Sequence, residues 1–488
     1  MSTNNTKQAF WVALGSLFSF GFAIVSSMIL SRFFDKGDYG TYKQVMYVYS
    51  TLLTVFTLGL PKAFSYYLPR VDTSQARSLI KKITNIFFIL GALFSVFLFV
   101  CAEPIADFMK NEDLKDAIRI FSPVPLLMLP TMGLEGILST FRKNKFMTLY
   151  TVVTRMFMLI CVATPVLFFN GGYTEALWGF VISSFISFVF AFYLKYMPVK
   201  NYGNDKCEVT YNQIFKFSLP LLYASLWGFL IASADQFFIS RYFGNEVFAE
   251  FSNGSMELPF VGMIVGACAT VLSPIFSRMS NEKLDPQKEI LPLWKSVFEK
   301  SAKLIYPLVI YCIVFADIIM IVLYGEQYEN SATYFRLKSI VDFFKVIVYA
   351  PLIINIGKVK YYSNVHMYGA IILIALEYLS VITINNPYAI TIISVLCQIG
   401  RIFCMLIFIS KFFRIKLYQL FPINLIIKIL IPSVIILLIE HYLLVNVLNI
   451  NDVIILFVSF GIYIIIFYIL STILKIDYKS LIKPLLSK

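Results

Sequence analysis

Charge is what this sequence has little of. Asp, Glu, Lys and Arg together make up 14% of its 488 residues, against roughly 25% in an ordinary soluble domain. A surface that poor in charge cannot be solvated, which excludes a water-soluble globule of this size. A bilayer is the solvent that accepts it. Histidine occurs only at His366 and His441, and the seven cysteines (Cys101, Cys161, Cys207, Cys268, Cys312, Cys397 and Cys404) show no CxxC spacing. Neither a zinc site nor a disulfide framework finds its pattern here, so the cysteines read as small buried hydrophobes and no cofactor is expected. Long polar stretches are missing too. No gap between apolar runs has room for a soluble catalytic domain, so function must reside in the membrane-embedded segments.

What is abundant is apolar sequence and, among the few charges, base. The net charge of +13 would suit nucleic acid only if it were gathered on a soluble module. It lies instead in short patches between apolar runs, as attraction to anionic headgroups requires. A span needs about 20 mainly apolar residues, and about fourteen such runs can be placed. They fall near 10–32, 43–68, 82–102, 118–140, 147–169, 174–196, 213–240, 248–276, 299–323, 332–357, 363–384, 388–410, 422–444 and 452–474. The first, from about Phe10, lacks a small-residue cleavage site and reads as a retained span. The fourth is the weakest, interrupted by Pro123, Pro125, Pro130 and Glu135. The chain is thus expected to be an all-α polytopic membrane protein.

Loop charges test that count. With the N-terminus inside, the even-numbered gaps hold Arg70, Arg77, Lys81 and Lys82, then Arg142, Lys143 and Lys145, then Lys195, Lys200, Lys206 and Lys216. Next come Arg278, Lys283, Lys288, Lys295, Lys300 and Lys303, then Lys358 and Lys360, then Lys411, Arg414 and Lys416. The tail adds Lys475, Lys479, Lys483 and Lys488. The odd gaps, such as Glu103 to Asp116, are acidic or poor in base. A missed span would reverse the alternation, and it does not reverse. Both termini are expected in the cytoplasm.

The first span ends Ser31-Arg32-Phe33-Phe34-Asp35 and the seventh ends Ser240-Arg241-Tyr242-Phe243-Gly244, and each is followed by two aromatics three apart. Six spans separate the two copies, so they share an orientation, as in two parallel six-span halves. This divides the chain into an N-lobe over 1–200, a C-lobe over 201–415, and two further spans with a cytoplasmic tail over 416–488. The motif also suits a span leaving the outer interface, with its arginine snorkelling.

Charges within the spans are the candidate functional residues, since each costs roughly 2.5–3.5 kcal/mol at the bilayer centre. Lys338, Asp342, Lys345 and Tyr349 follow at helical spacing in the tenth span and are expected on one face. That face is either an ion cluster gluing helices or a cationic lining for an anionic substrate. Arg336 lies on the other side and reads as snorkelling outward, and Asp317 and Lys428 lie near span ends, where the same explanation serves. Asp235 shares a face with Gly228 and Ala232 and points into the bundle, to meet a base or a coupling proton. Lys62 follows Pro61, which should kink the second span; it either lines a cleft or snorkels. Glu135 and Arg155, on neighbouring spans, are placed to pair. Gly15, Ser19, Ala23 and Ser27 form a small-residue stripe for close helix contact. The last two spans are oily: they form a groove for a lipid tail, an interface, or a lipid-facing peripheral pair.

Taken together, Ser31-Arg32-Phe33-Phe34, Gly37-Asp38-Tyr39-Gly40-Thr41-Tyr42, Leu58-Gly59-Leu60-Pro61-Lys62-Ala63 and the stretch from Ser233 through Asp235 to Arg241 resemble polysaccharide-type flippases of the MOP exporter superfamily. The resemblance implies a two-lobed MOP flippase fold (MurJ/MATE-like) and a Wzx-type flippase of the bacterial cytoplasmic (inner) membrane. Such a protein moves undecaprenyl-diphosphate-linked oligosaccharide, for example an O-antigen or other surface-polysaccharide repeat unit, by alternating access and is not an enzyme. Implied partners are that substrate, membrane lipids and the polysaccharide polymerase machinery, with no nucleic acid. Lys62, Lys338 and Lys345 would then attract the diphosphate, with Asp342 orienting the lysines. Arg32, Arg241 and Asp235 complete the candidate substrate-binding set. Lipid II flippases place several arginines in their first two spans, whereas only Arg32 matches here, which favours a surface polysaccharide. The rival readings are a MATE-type exporter and, further off, a membrane polymerase or glycosyltransferase, for which Asp35 and Asp38 lack an accompanying outer domain.

Overall fold

The computed structural model describes residues 2–203, 205–282, 284–447 and 450–478. Lys283, Lys479, Lys483 and Lys488 lie outside them. The described elements are helical, with no strand among them, and the fold is that of an all-α polytopic membrane protein. Contacts divide the chain into two compact units, Met1–Ala249 and Glu250–Lys488.

The first unit contains α1 (Ser2–Phe33), α2 (Lys36–Phe56), α3 (Pro61–Tyr67), α4 (Thr73–Val100), α5 (Ala102–Met109), α6 (Leu114–Phe121), α7 (Val124–Met128), α8 (Leu134–Thr140), α9 (Asn144–Phe169), α10 (Tyr173–Tyr196) and most of α11 (Tyr211–Gly254). The second holds α12 (Pro259–Asn281), α13 (Leu291–Val314), α14 (Ala316–Tyr324), α15 (Ser331–Ser339), α16 (Asp342–Lys345), α17 (Ala350–Asn355), α18 (Val359–Thr383), α19 (Pro387–Phe412), α20 (Ile423–His441) and α21 (Asp452–Ile473). Among the described residues ten helices are long and apolar enough to cross a bilayer, or up to twelve if each bent pair counts as one span. One such pair, α13 with its preceding turn and α14, bends by 73°. The expected second and tenth spans are absent from this count: the second joins the 21-residue, tyrosine-rich α2 to the short α3 across a break, and the tenth is divided into three short helices.

Local chemistry explains where the chain breaks. In the second span Leu58 (φ 48°) and Gly59 (φ 70°) are left-handed, and Pro61 starts α3. Gly59 is required twice over, since a Cβ there would also lie 2.6 Å from the Ser218 carbonyl. The fourth span breaks between α7 and α8 at Pro130 and at Gly133, whose φ is 77°. The tenth breaks at Ile340–Val341 and again before Pro351, giving α15, α16 and α17.

Breaks at membrane depth expose backbone carbonyls that hydrocarbon cannot satisfy. Here neighbouring helices supply donors. Lys195 of α10 donates to the Pro130 carbonyl at 2.6 Å. Tyr306 of α13 donates to Phe343 O at 2.9 Å, and the buried Trp294 donates through Nε1 to Val348 O at 2.9 Å. The sequence pattern places Lys195 in a basic loop. It is instead fully buried, with its ammonium over the Phe64 and Phe87 rings and 3.4 Å from Thr84 Oγ1.

Both copies of the sequence repeat turn at the same place. Asp35 (ψ 168°) accepts from the Asp38 amide at 2.8 Å and caps α2. The aligned residue, Gly244, has φ 86° and ψ 174° and kinks α11. Within the first unit the two copies meet through a polar seam. Gln44 Nε2 donates to Ser240 Oγ at 2.8 Å, and Asn245 Nδ2 donates to the Gly37 carbonyl at 3.2 Å. Asn111 joins them by donating to Gln44 Oε1 at 2.6 Å. Approach is so close that a Cβ on Gly40 would lie 2.1 Å from the Asn245 carbonyl.

The oily final helices are fastened to the second unit by polar ties. Tyr311 donates to Leu456 O at 2.8 Å, and Tyr463 reaches Ser433 Oγ at 2.9 Å. Asp317 does not snorkel. It pairs with Arg336 at 3.3 Å and with His441 of α20 at 3.3 Å, so Arg336 also turns inward. Lys428 donates to the Leu474 carbonyl at 3.2 Å and so links α20 to the end of α21.

Replacing Trp294 by Phe leaves Val348 O without its donor and is expected to cost about 1–3 kcal/mol. Thermal unfolding in detergent should show a clear drop, whereas Trp178→Phe, at a half-exposed site, should stay within about 0.5 kcal/mol of wild type.

Candidate functional site

Each unit has an open cavity built beside a broken span. In the second unit a cavity of about 420 Å³ is lined by Glu257, Gly262 and Gly266 from the α12 side and by Asp342, Lys345 and Tyr349 from the broken tenth span. Asp342 is 5% exposed, and Lys345 Nζ lies 3.0 Å from its Oδ1. The pair joins residues three apart on one turn, so Asp342 fixes the ammonium of Lys345 at the cavity wall. Gly262 and Gly266 meet nothing within 4 Å where a Cβ would be, and their bareness leaves the cavity open.

The expected common face of the tenth span is only partly realised. Asp342, Lys345 and Tyr349 line the cavity, but Lys338 does not. It lies across the Ile340–Val341 break, 3.3 Å from Ser394 Oγ and over the Phe251 ring. Spacing arguments assume an unbroken helix, and the break rotates Lys338 away from the lining.

The first unit holds a cavity of about 670 Å³ between α1, the α7–α8 break and α9. Its wall is rich in hydroxyls, among them Ser16, Ser19, Thr151 and Thr154, and it carries Glu135 and Arg155. A smaller cavity of about 190 Å³ shares Ala23, Arg155 and Met158 with it and adds Ser27 and Lys43. Lys43 Nζ donates to Ser27 Oγ at 2.9 Å, and the Tyr39 hydroxyl lies 2.7 Å from the same oxygen. Glu135 and Arg155 line one cavity without forming an ion pair, contrary to expectation. Arg155 turns instead toward the Met158 sulfur at 3.6 Å. The Gly15–Ser27 stripe also does more than pack: Gly15 meets Thr148 of α9, while Ser19, Ala23 and Ser27 line the two cavities.

The other candidates are scattered. Lys62 is exposed on α3, and Arg32 is exposed near the end of α1. Arg241 donates to the Phe108 carbonyl and stacks over that ring, 4.9 Å from its centre. Asp235 is 2% exposed and accepts from the Gln236 amide at 2.9 Å. Sequence reasoning passed over Lys43. Its available signal was position: it lies one turn beyond Tyr39, opposite the small-residue stripe.

A protein-family model described as "Polysaccharide biosynthesis protein" matches residues 29–333, more than half of the chain. The chain belongs to this family. Among solved structures, this family member is similar to the lipid II flippase MurJ in its inward closed conformation, with a TM-score of 0.73 at 14% identity, covering 98% of this chain and 100% of that one. It is also similar to an inward-facing multidrug resistance MATE family transporter of the MOP superfamily, with a TM-score of 0.64 at 12% identity over 80% and 95% of the two chains. The Vibrio cholerae MATE transporter VcmN in its bent form gives 0.56 at 15% identity over 86% and 100%. No curated protein sequence matches the chain. At these identities the likeness establishes the fold of this polysaccharide biosynthesis protein, which is that of the MOP-type flippases and transporters.

Leucine at position 266 should fill the second unit's cavity without straining a neighbour. Gly266→Leu is expected to leave the melting temperature close to wild type and to slow labelling of Lys345 by a membrane-impermeant amine reagent several-fold, read by peptide mass spectrometry.

Proposed function

We propose that the chain is a flippase that carries undecaprenyl-diphosphate-linked oligosaccharide, a surface-polysaccharide repeat unit, from the inner to the outer leaflet of a bacterial cytoplasmic membrane by alternating access. The observation that carries this reading is that the cavities of both units present cations where apolar sequence surrounds them: Lys345 in the second unit, Arg155 in the larger cavity of the first, and Lys43 beside Arg155 in the smaller one. A diphosphate is the part of such a substrate that hydrocarbon excludes most strongly, and fixed cations replace its water. Lys345, held by Asp342, and Arg155 are the proposed diphosphate contacts, and the hydroxyls beside Arg155 suit sugar. Lys62, Lys338 and Arg32 remain proposed contacts on the substrate's path. Asp235 and Arg241 are proposed to position α11.

In this reading 1–200 and 201–415 form two lobes, both termini face the cytoplasm, and the appended helices of 416–488 meet the polyprenyl tail. The substrate's lipid, the membrane and a polymerase that consumes the flipped unit are the proposed partners. A second reading, a MATE-like exporter of small cations, is favoured by Glu135 and Glu257, which put a carboxylate in each cavity.

Deleting the gene is expected to leave completed lipid-linked oligosaccharide on the inner leaflet. Failure to assemble the oligosaccharide on its lipid carrier would instead sink the transport reading. Lys345→Ala and Arg155→Ala should each lower export at least about tenfold with normal membrane insertion, whereas Glu135→Gln and Glu257→Gln should abolish transport only if the cargo is a cation.

A further inference from the structure

A groove of about 620 Å³ opens between α4 and α10 in the first unit and shares no residue with the cavities above. Three cations ring one end of it: Arg77 and Lys81 on α4, and Lys200 just beyond α10. None forms an ion pair among the described residues, and no carboxylate lines the groove.

The polarity changes in order along both walls. On α4 the lining residues Arg77, Lys81, Asn85 and Phe88 follow at four, four and three, so one helix face passes from cation through amide to aromatic. On the antiparallel α10 wall the order runs in reverse, from Phe192 and Tyr193 through Tyr196 to Lys200. Phe88 and Phe192 meet across the deeper part, 6.4 Å between ring centres. Tyr193 is 68% exposed, so the groove opens outward to the surrounding medium. A charged rim followed by an apolar trough is the profile of a phospholipid, headgroup first and chains beneath.

We propose that this groove is a binding site for a resident anionic phospholipid. Its phosphodiester sits among Arg77, Lys81 and Lys200, and its acyl chains lie along Phe88, Phe192 and Tyr193. The leaflet is the cytoplasmic one, which rests on the orientation proposed above, with the basic loops inside. Three unpaired cations at an outward-opening groove suit a lipid that stays, since the groove shares no lining residue with the cavities assigned to the cargo.

The test is native mass spectrometry of the full chain, purified in detergent and offered phosphatidylglycerol, phosphatidylcholine or undecaprenyl diphosphate. Wild type should retain phosphatidylglycerol preferentially, by at least about tenfold given the attraction of three basic residues. The Arg77→Gln/Lys81→Gln/Lys200→Gln variant should lose that preference while binding phosphatidylcholine as before. The charge-preserving Arg77→Lys/Lys81→Arg/Lys200→Arg variant should keep it, which separates charge from folding. Equal retention of the two lipids by wild type, or undiminished preference in the Gln variant, would overturn the proposal. So would a Gln variant that loses undecaprenyl diphosphate while keeping phosphatidylglycerol, since the groove would then belong to the substrate. The assay reads lipid binding rather than export, so its failure leaves the flippase reading standing.

Discussion

A peptide carbonyl without a hydrogen-bond donor costs far more in hydrocarbon than in water. Most helices here meet that constraint internally, but the second, fourth and tenth spans are broken. At two of the breaks side chains from a neighbouring helix stand in for the missing backbone amides. Lys195 serves Pro130, and Tyr306 and Trp294 serve Phe343 and Val348. Those breaks are also where the cavities lie: residues 131–135 wall the larger one, and residues 342–351 wall the other. A regular helix packs its neighbours closely and leaves little room between them. A broken one leaves room, and the residues around its break line the space it opens.

Seen this way, intramembrane charge falls into two kinds. Asp317 holds Arg336 and His441, which lashes α14, α15 and α20 together, and Arg241 ties α11 to α5 through Phe108. These are fasteners. Lys345, Arg155 and Glu135 face open volume instead, and only the first of them has a carboxylate at hand. Leaving a charge facing a cavity is tolerable when water or cargo fills it, and a fold that moves polar material across a membrane needs such places.

Much of this was legible in the sequence. The alternation of basic and acidic gaps outlined an all-helical membrane chain, Pro61 marked the break in the second span, and the cluster of prolines around Pro130 marked the fourth as irregular. The repeat marked equivalent positions, and the structure adds that the chain bends at both of the aligned residues Asp35 and Gly244. What remained hidden followed from one assumption. Periodicity treats a span as a continuous helix, and nothing near Ile340 warns of a break, so Lys338 was grouped with side chains it does not join. Lys195 was hidden for a different reason. Its burial depends on a carbonyl 65 residues away, and a lysine at the end of an apolar run looks the same whether it points out or in.

Lys195 also bears on how the chain is made. Every group that receives its ammonium, Thr84, Pro130, Phe64 and Phe87, precedes it in the sequence. As the ribosome delivers α10, the nest for that charge has already been synthesised, so the lysine need not wait in lipid for a later helix. Chains are assembled from the N-terminal end, and here the order of synthesis matches the order in which a costly group needs its hosts.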